Sequence, residues 1–210
     1  MTDRSRPQIS SRKRPQQARS NDLVAAILEA AIQVLAQEGA ARFTTTRVAD
    51  RAGVSVGSIY QYFPNKAAIL FRLQSDEWQQ TSRMLGDTLR EASRSPPERV
   101  RRLVHAFVKS ECDEAAMRVA LNDAAPLYRD APEALAAHAS GKQIVQAFMR
   151  VALPDASEPT RAMAGGLIKT TLSEVGKQFS ESPRSQAEIE AYADAMADMF
   201  CAYLRHLDQR

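Results

Sequence analysis

The sequence predicts an all-α fold, with two short helices joined by a glycine turn near the N-terminus and longer helices after them. Three observations carry that expectation. Alanine is abundant and β-branched residues are few, a balance that favours helix over sheet. Apolar residues recur at three- and four-residue spacing from Leu23 to Leu207, the period of an amphipathic helix. The interruptions fall at clusters bearing Pro and Ser, at 93–97, 124–132, 154–159 and 180–185, where helices stop.

Composition narrows the class. Apolar residues make up 44% of the 210 and charged residues 25%, a globular balance with room for one large domain or two small ones. No run of 18 uninterrupted apolar residues occurs, so no membrane span is expected. The polar, basic N-terminus lacks the apolar core of a secretory signal. Cys112 and Cys201 stand 89 residues apart inside helical patterns, without metal-type spacing, and a reducing cytoplasm suits them. The net charge of +3 is uneven: residues 1–20 hold Arg4, Arg6, Arg12, Lys13, Arg14 and Arg19 against Asp3, a net of +5, and the remainder nets −2. A basic tail suits a polyanion through counterion release, and it equally suits a solubilising leader.

The elements follow in order. Residues 1–19, rich in Ser, Arg, Pro and Gln, have no apolar period and read as a disordered basic arm. A first helix begins near Leu23 and runs through Ile27, Ala30, Ala31, Val34 and Leu35, with Ser20, Asn21 and Asp22 as cap candidates and Gly39 as its stop. Thr44 or Thr45 caps a short helix burying Val48, Ala49 and Ala52. Gly53 supplies a left-handed turn residue, Val54 plugs the corner, and Ser55 caps a second short helix. Ile59 and Phe63 point into the core, which leaves Val56, Ser58, Tyr60, Gln61 and Tyr62 outward or at the edges; Pro64 ends the helix. Two short helices on a glycine turn form a helix-turn-helix. Five or six longer helices follow. The last, near 186–206, carries a wide stripe with Tyr192, Met196, Met199 and Tyr203, and Gly165, Gly166 and Leu167 on the preceding helix offer a close-packing partner face.

The second short helix opens Ser55-Val56-Gly57-Ser58, unusually small side chains. Gly57 within a helix costs about 1 kcal/mol relative to Ala, and close docking on a duplex explains that choice. Hydroxyls on Thr44, Thr45, Ser55, Ser58, Tyr60 and Tyr62 suit phosphate oxygens. Lys66, a cation in the first turn of the next helix, opposes the helix dipole unless a phosphate sits there too.

Thr44-Thr45, Val48-Ala49, Ala52-Gly53-Val54-Ser55, Gly57, Tyr60, Tyr62-Phe63 and Lys66 closely resemble the signature of the TetR family of bacterial regulators, over about residues 20–70. The resemblance implies a homodimer with a three-helix DNA-binding domain, residues 20–66, and a larger helical domain, 67–210, for effector binding and dimerisation. It implies a repressor that leaves a palindromic operator in double-stranded DNA when a small molecule binds. Carried over by position, Arg47, Ser55, Val56, Gly57, Ser58 and Gln61 face bases or nearby backbone, with Val56 suited to a thymine methyl. Thr45, Tyr60, Tyr62 and Lys66 contact phosphates, and the last two long helices form the dimer bundle.

Beyond the motif the sequence says less. Trp78, His105, Phe107, Met117, Tyr128, His138, Phe148 and Met149 are candidates for an effector pocket, and each has core or surface as its plain alternative. His105, His138 and His206 have no ligand-like spacing, so no metal is expected, nor any cofactor. No nucleophile–base pair or carboxylate dyad is visible, which argues against an enzyme. An architectural DNA protein without effector is the competing class, and the sign of regulation stays open between repressor and activator.

Overall fold

The computed structural model describes residues 18–127 and 132–209. Among them the regular structure is helical throughout: α1 Ala18–Arg42, α2 Thr45–Ala52, α3 Val56–Tyr60, α4 Lys66–Arg90, α5 Pro96–Asp113, α6 Ala115–Ala124, a 3-10 turn Ala125–Leu127, α7 Pro132–Ala152, α8 Glu158–Ser180 and α9 Gln186–Asp208. Packing divides the chain into two compact units, residues 1–77 with 116–135 and residues 78–115 with 136–210.

In the first unit, α1 buries Val24, Ile27, Ala30, Ala31, Val34 and Leu35 in one core with Phe43, Val48, Ala49, Ile59 and Phe63. The helix is already formed at Ala18, so Ser20, Asn21 and Asp22 lie inside it rather than at its cap. Ala18 and Arg19 are good helix formers, and nothing there halts the helix. The expected arm thus ends before Ala18, and residues 1–17 lie outside the described residues. Gly39 breaks the helix at φ 73°, ψ 171°, a conformation that needs a residue without Cβ. By length and composition, Ser20–Arg42 is apolar enough to cross a bilayer, with mean hydropathy 1.4, where no span was expected. Its apolar face is already covered: Ile27, Ala31, Val34 and Leu35 are at most 1% exposed within the unit.

The same core takes in Ala67, Ala68, Ile69, Leu70 and Leu73 of α4 and Leu121 of α6. The first turns of α4 therefore belong with the N-terminal core, and packing divides the chain after Glu77 rather than after Lys66. An ion pair between Arg118 and Glu77, 2.9 Å long, with side chains 17% and 8% exposed, ties α6 to this part of α4.

The second unit is built on α5, α7, α8 and α9. Its core joins Val100, Val104 and Val108 to Phe148, Met149 and Leu153, to Ala164, Ile168 and Leu172, and to Ala193, Ala197 and Phe200. Caps define the helix starts. The Glu98 carboxylate accepts from the Ser95 backbone N–H at 2.8 Å and from its hydroxyl at 2.6 Å. The Ser157 hydroxyl accepts from the Thr160 N–H at 3.3 Å, and Glu188 accepts from Ser185 as Glu98 does from Ser95. The buried Arg99 donates to the carbonyls of Arg94 and Leu89 at 2.8 and 3.3 Å, so a cation closes the C-terminal end of α4.

Candidate nucleic-acid interface

The helix-turn-helix is assembled by short-range chemistry. Thr44 is extended at φ −136°, and its hydroxyl accepts from the Arg47 N–H at 3.3 Å, which starts α2. Gly53 stands at φ 67°, ψ 31°, and its N–H reaches the carbonyls of Ala49 and Asp50, ending α2 in a left-handed cap. Val54 N–H donates to Ala49 at 3.0 Å, and the side chain packs against the core. Ser55 then opens α3, its hydroxyl accepting from the Ser58 N–H at 3.0 Å. Ile59, fully buried, anchors the helix from beneath.

This leaves a coherent outer edge. Thr44, Thr46, Arg47, Ser55, Gly57, Tyr60, Gln61 and Lys66 are exposed; Thr45, Val56 and Ser58 are half-buried. A Cβ at Gly57 would meet only the Ser55 hydroxyl, at 3.6 Å, so nothing inside the protein requires glycine there. Tyr60 is 41% exposed, and its hydroxyl lies 3.4 Å from that of Thr45, which joins two of the expected phosphate contacts. Ser55 and Ser58 hydroxyls are paired at 2.9 Å. Lys66 begins α4, where the Asn65 side-chain oxygen accepts from the Ala68 N–H at 3.0 Å; Asn65 was not singled out in the sequence, although an Asn ahead of a helix is a legible cap signal.

One expected position differs. Tyr62 is 6% exposed and packs in the core beside Phe63, not outward. The reason is local: α3 ends at Tyr60, and the N–H groups of Tyr62 and Phe63 both donate to the Ile59 carbonyl, at 3.0 and 2.9 Å. That tightened turn rotates Tyr62 inward from where a continuing helix would hold it.

Two arginines of α2 are held against α1, which the sequence did not reveal. Arg47 pairs with Glu38. Arg51 donates to the side-chain oxygens of Gln37 at 2.7 Å and Gln33 at 3.4 Å. Partners nine to eighteen residues apart across a break have no periodic signature.

The described effector candidates have different surroundings within their own units. Phe148 is buried at 4% in the core of the second unit, with Met149 beside it at 1%. Phe107 packs against that core, and Gly176 gives it room, since a Cβ there would come within 3.2 Å of its ring. Trp78 is half-buried. His105 lies in an open groove of about 390 Å³ with Thr88, Arg101, Arg102 and Ala106, its Nε2 3.0 Å from an Asp194 carboxylate oxygen. Met117 packs against the core of the first unit. Tyr128 lies outside the described residues, as does the side chain of His138.

The expected dimer residues divide. Met196 is 5% exposed inside the second unit's core. Gly165 is buried too, where a Cβ would approach Val145 at 2.9 Å and Met149 at 3.1 Å. Tyr192 stacks on Phe179 with centroids 3.9 Å apart, and Tyr203 is half-buried. Met196 and Gly165 serve packing within the unit, as α5 packs on both α9 and α8, while Tyr192 and Tyr203 keep part of their surface open. Gly166 is open, and Leu167 and Met199 are 52% and 51% exposed, joined by Met163 at 59%.

Comparison with known proteins bears on both units. Residues 27–73 match the family described as bacterial regulatory proteins, tetR family. Residues 95–207 match the tetracyclin repressor-like C-terminal domain. A fatty acid metabolism regulator protein of Bacillus subtilis is 34% identical over 65 residues, 31% of this chain and 34% of that protein, so the match spans about a third of that relative. Among solved structures, the fatty acid degradation regulator FadR of Bacillus halodurans superposes with TM-score 0.66 at 17% identity, covering 89% of this chain and 96% of that one. The regulator PfmR of Thermus thermophilus gives 0.67 at 19%, covering 83% and 96%. At those identities the two structures speak to fold.

Proposed function

The chain belongs to the TetR family of DNA-binding transcriptional regulators, and from that membership we propose that it is a cytoplasmic homodimeric repressor that leaves a palindromic operator when a small-molecule effector binds. The observation that carries the reading is the surface of α3. Ser55, Gly57 and Gln61 are exposed beside Val56 and Ser58, and no internal contact requires glycine at 57. A short helix with small residues at its start can sit deep in the major groove while its flanking hydroxyls and Lys66 meet phosphates. Thr44, Thr45, Arg47 and Tyr60 are exposed or half-buried on the same edge, which supports contacts to the backbone and, for Arg47, to nearby bases.

For the dimer, the support is the apolar surface that α8 and α9 leave uncovered: Met163, Leu167 and Met199 with the open Gly166. Exposed large apolar side chains on two successive helices suit an association surface if they form one patch. An isologous contact through this face gives two reading helices related by a twofold axis, and hence a palindrome. Release then follows if the effector binds more tightly to the form whose reading helices are wrongly spaced.

The test is to sequence genomic fragments retained by the purified protein, with and without extracts of small metabolites. One twofold-symmetric sequence, lost in the presence of some extract, is the expected result. Retention of fragments without sequence preference, unaffected by any extract, would favour an architectural protein.

A further inference from the structure

Arg47 lies on the edge assigned above to DNA, yet its guanidinium is engaged by the carboxylate of Glu38. Glu38 immediately precedes the Gly39 break in α1, so it is fixed by the end of the helix body. The two residues line a shallow groove of about 380 Å³ together with Val34, Asp50 and Arg51, which places a second carboxylate nearby. Arg51 is also turned towards α1, but its partners there are the neutral amides of Gln33 and Gln37. Of the two arginines, it is Arg47 whose partner on α1 carries a charge.

The Arg47 and Glu38 side chains are 46% and 25% exposed, so the pair contributes little to stability. Towards a polyanion its effect is larger. A guanidinium does not deprotonate, so it leaves a carboxylate most readily for another anion, and a backbone phosphate offers the same two-pronged geometry. The exchange leaves the Glu38 carboxylate facing the duplex, where it must take up a cation. The counterion that the phosphate released is then offset, so a contact averaged over shifting phosphates yields little net binding, whereas a phosphate held in one position adds the bidentate geometry.

We propose, resting on the DNA-binding reading above, that Glu38 is a specificity-determining residue: an internal competitor for Arg47 that suppresses binding to non-cognate duplex. On random DNA the protein slides between phosphates and the exchange gains nothing. On the operator, contacts by α3 to the bases fix the register, and one phosphate is presented to Arg47 in a constant position.

The experiment uses the full-length protein and its Glu38→Gln, Arg47→Ala and doubly substituted variants, titrated at several salt concentrations with a random duplex and with the selected operator. Glu38→Gln should bind random duplex roughly two- to fivefold more tightly per protomer. Its slope of log affinity against log salt should steepen by about 0.9 per protomer, and its preference for operator should fall. In the Arg47→Ala background the same substitution should change random-duplex affinity little. Parent-like affinity and slope for Glu38→Gln overturn the proposal. So does an equal gain with and without Arg47, which would mean that the carboxylate only repels the duplex. A parent protein that binds neither duplex contradicts the DNA-binding reading itself, a result separable from both.

Discussion

At the scale of the residue, the interface rests on a few positions with separable roles. Gly53 holds φ at 67°, a region that costs other residues about 1–2 kcal/mol. Gly53→Ala should therefore lower the melting temperature and weaken binding to every duplex, because the turn sets α3 against α2. Tyr60 and Lys66 stand outside the core, so Tyr60→Phe and Lys66→Ala should leave the melt unchanged. Each should weaken binding to operator and random duplex alike, since phosphate contacts carry no sequence information. Anisotropy titration at equal salt checks this, and parent-like affinity in both variants would remove the phosphate assignment. Met196, buried at 5%, behaves differently from its neighbour on the stripe, Met199. Met196→Arg places a charge in the core and should fail to fold. Leu167→Arg and Met199→Arg, at exposed sites, should give folded monomers in sedimentation; an undisturbed dimer would take that face out of the interface.

At the scale of the element, helix starts are the stability handles. Ser157→Ala removes the hydroxyl that caps α8 and should cost about 1 kcal/mol in denaturant unfolding. The hydroxyl of Ser95, with its backbone N–H, holds the Glu98 carboxyl below its ordinary range, and the Ser185 backbone and hydroxyl do the same for Glu188. A carboxyl depressed in the folded state contributes stability that is present above its unfolded value and lost as pH falls through the folded one. Unfolding from pH 7 down into the acid range should show that loss beginning below about 4.5, and Glu188→Gln should flatten the profile. Elements were also the scale at which the sequence was most legible. Thr44, Gly53, Ser55, Ile59 and Phe63 announce α2, the turn and α3 because each acts within five residues of its partner. Tyr62 was not legible, since its inward turn depends on α3 stopping at Tyr60. Nor was the division of the α9 stripe, where Met196 and Met199 differ only by which helices pack on which side. The Glu38–Arg47 pair joins two helices across a break, and no periodicity encodes it.

At the scale of the whole molecule, the chain divides into two compact units, and its basic charge is concentrated at the N-terminus. Residues 1–20 hold a net of +5. Deleting residues 1–15 should flatten the salt dependence of DNA affinity by several units per dimer, at about 0.9 per phosphate neutralised, with operator preference changed less. An unaltered slope would make the segment a leader only. The central claim, that α3 reads DNA sequence twice in a symmetric dimer, is tested most directly by selection from random duplexes with the parent, Val56→Ala and Gln61→Ala. The parent is expected to enrich one palindrome, with half-sites spaced by a whole number of helical turns, about 10 base pairs each. Each variant is expected to relax or change the preference at the same position in both half-sites, by about 1–3 kcal/mol for each base that the shortened side chain no longer reaches. No enriched sequence for the parent, or one identical sequence for all three proteins, would contradict it.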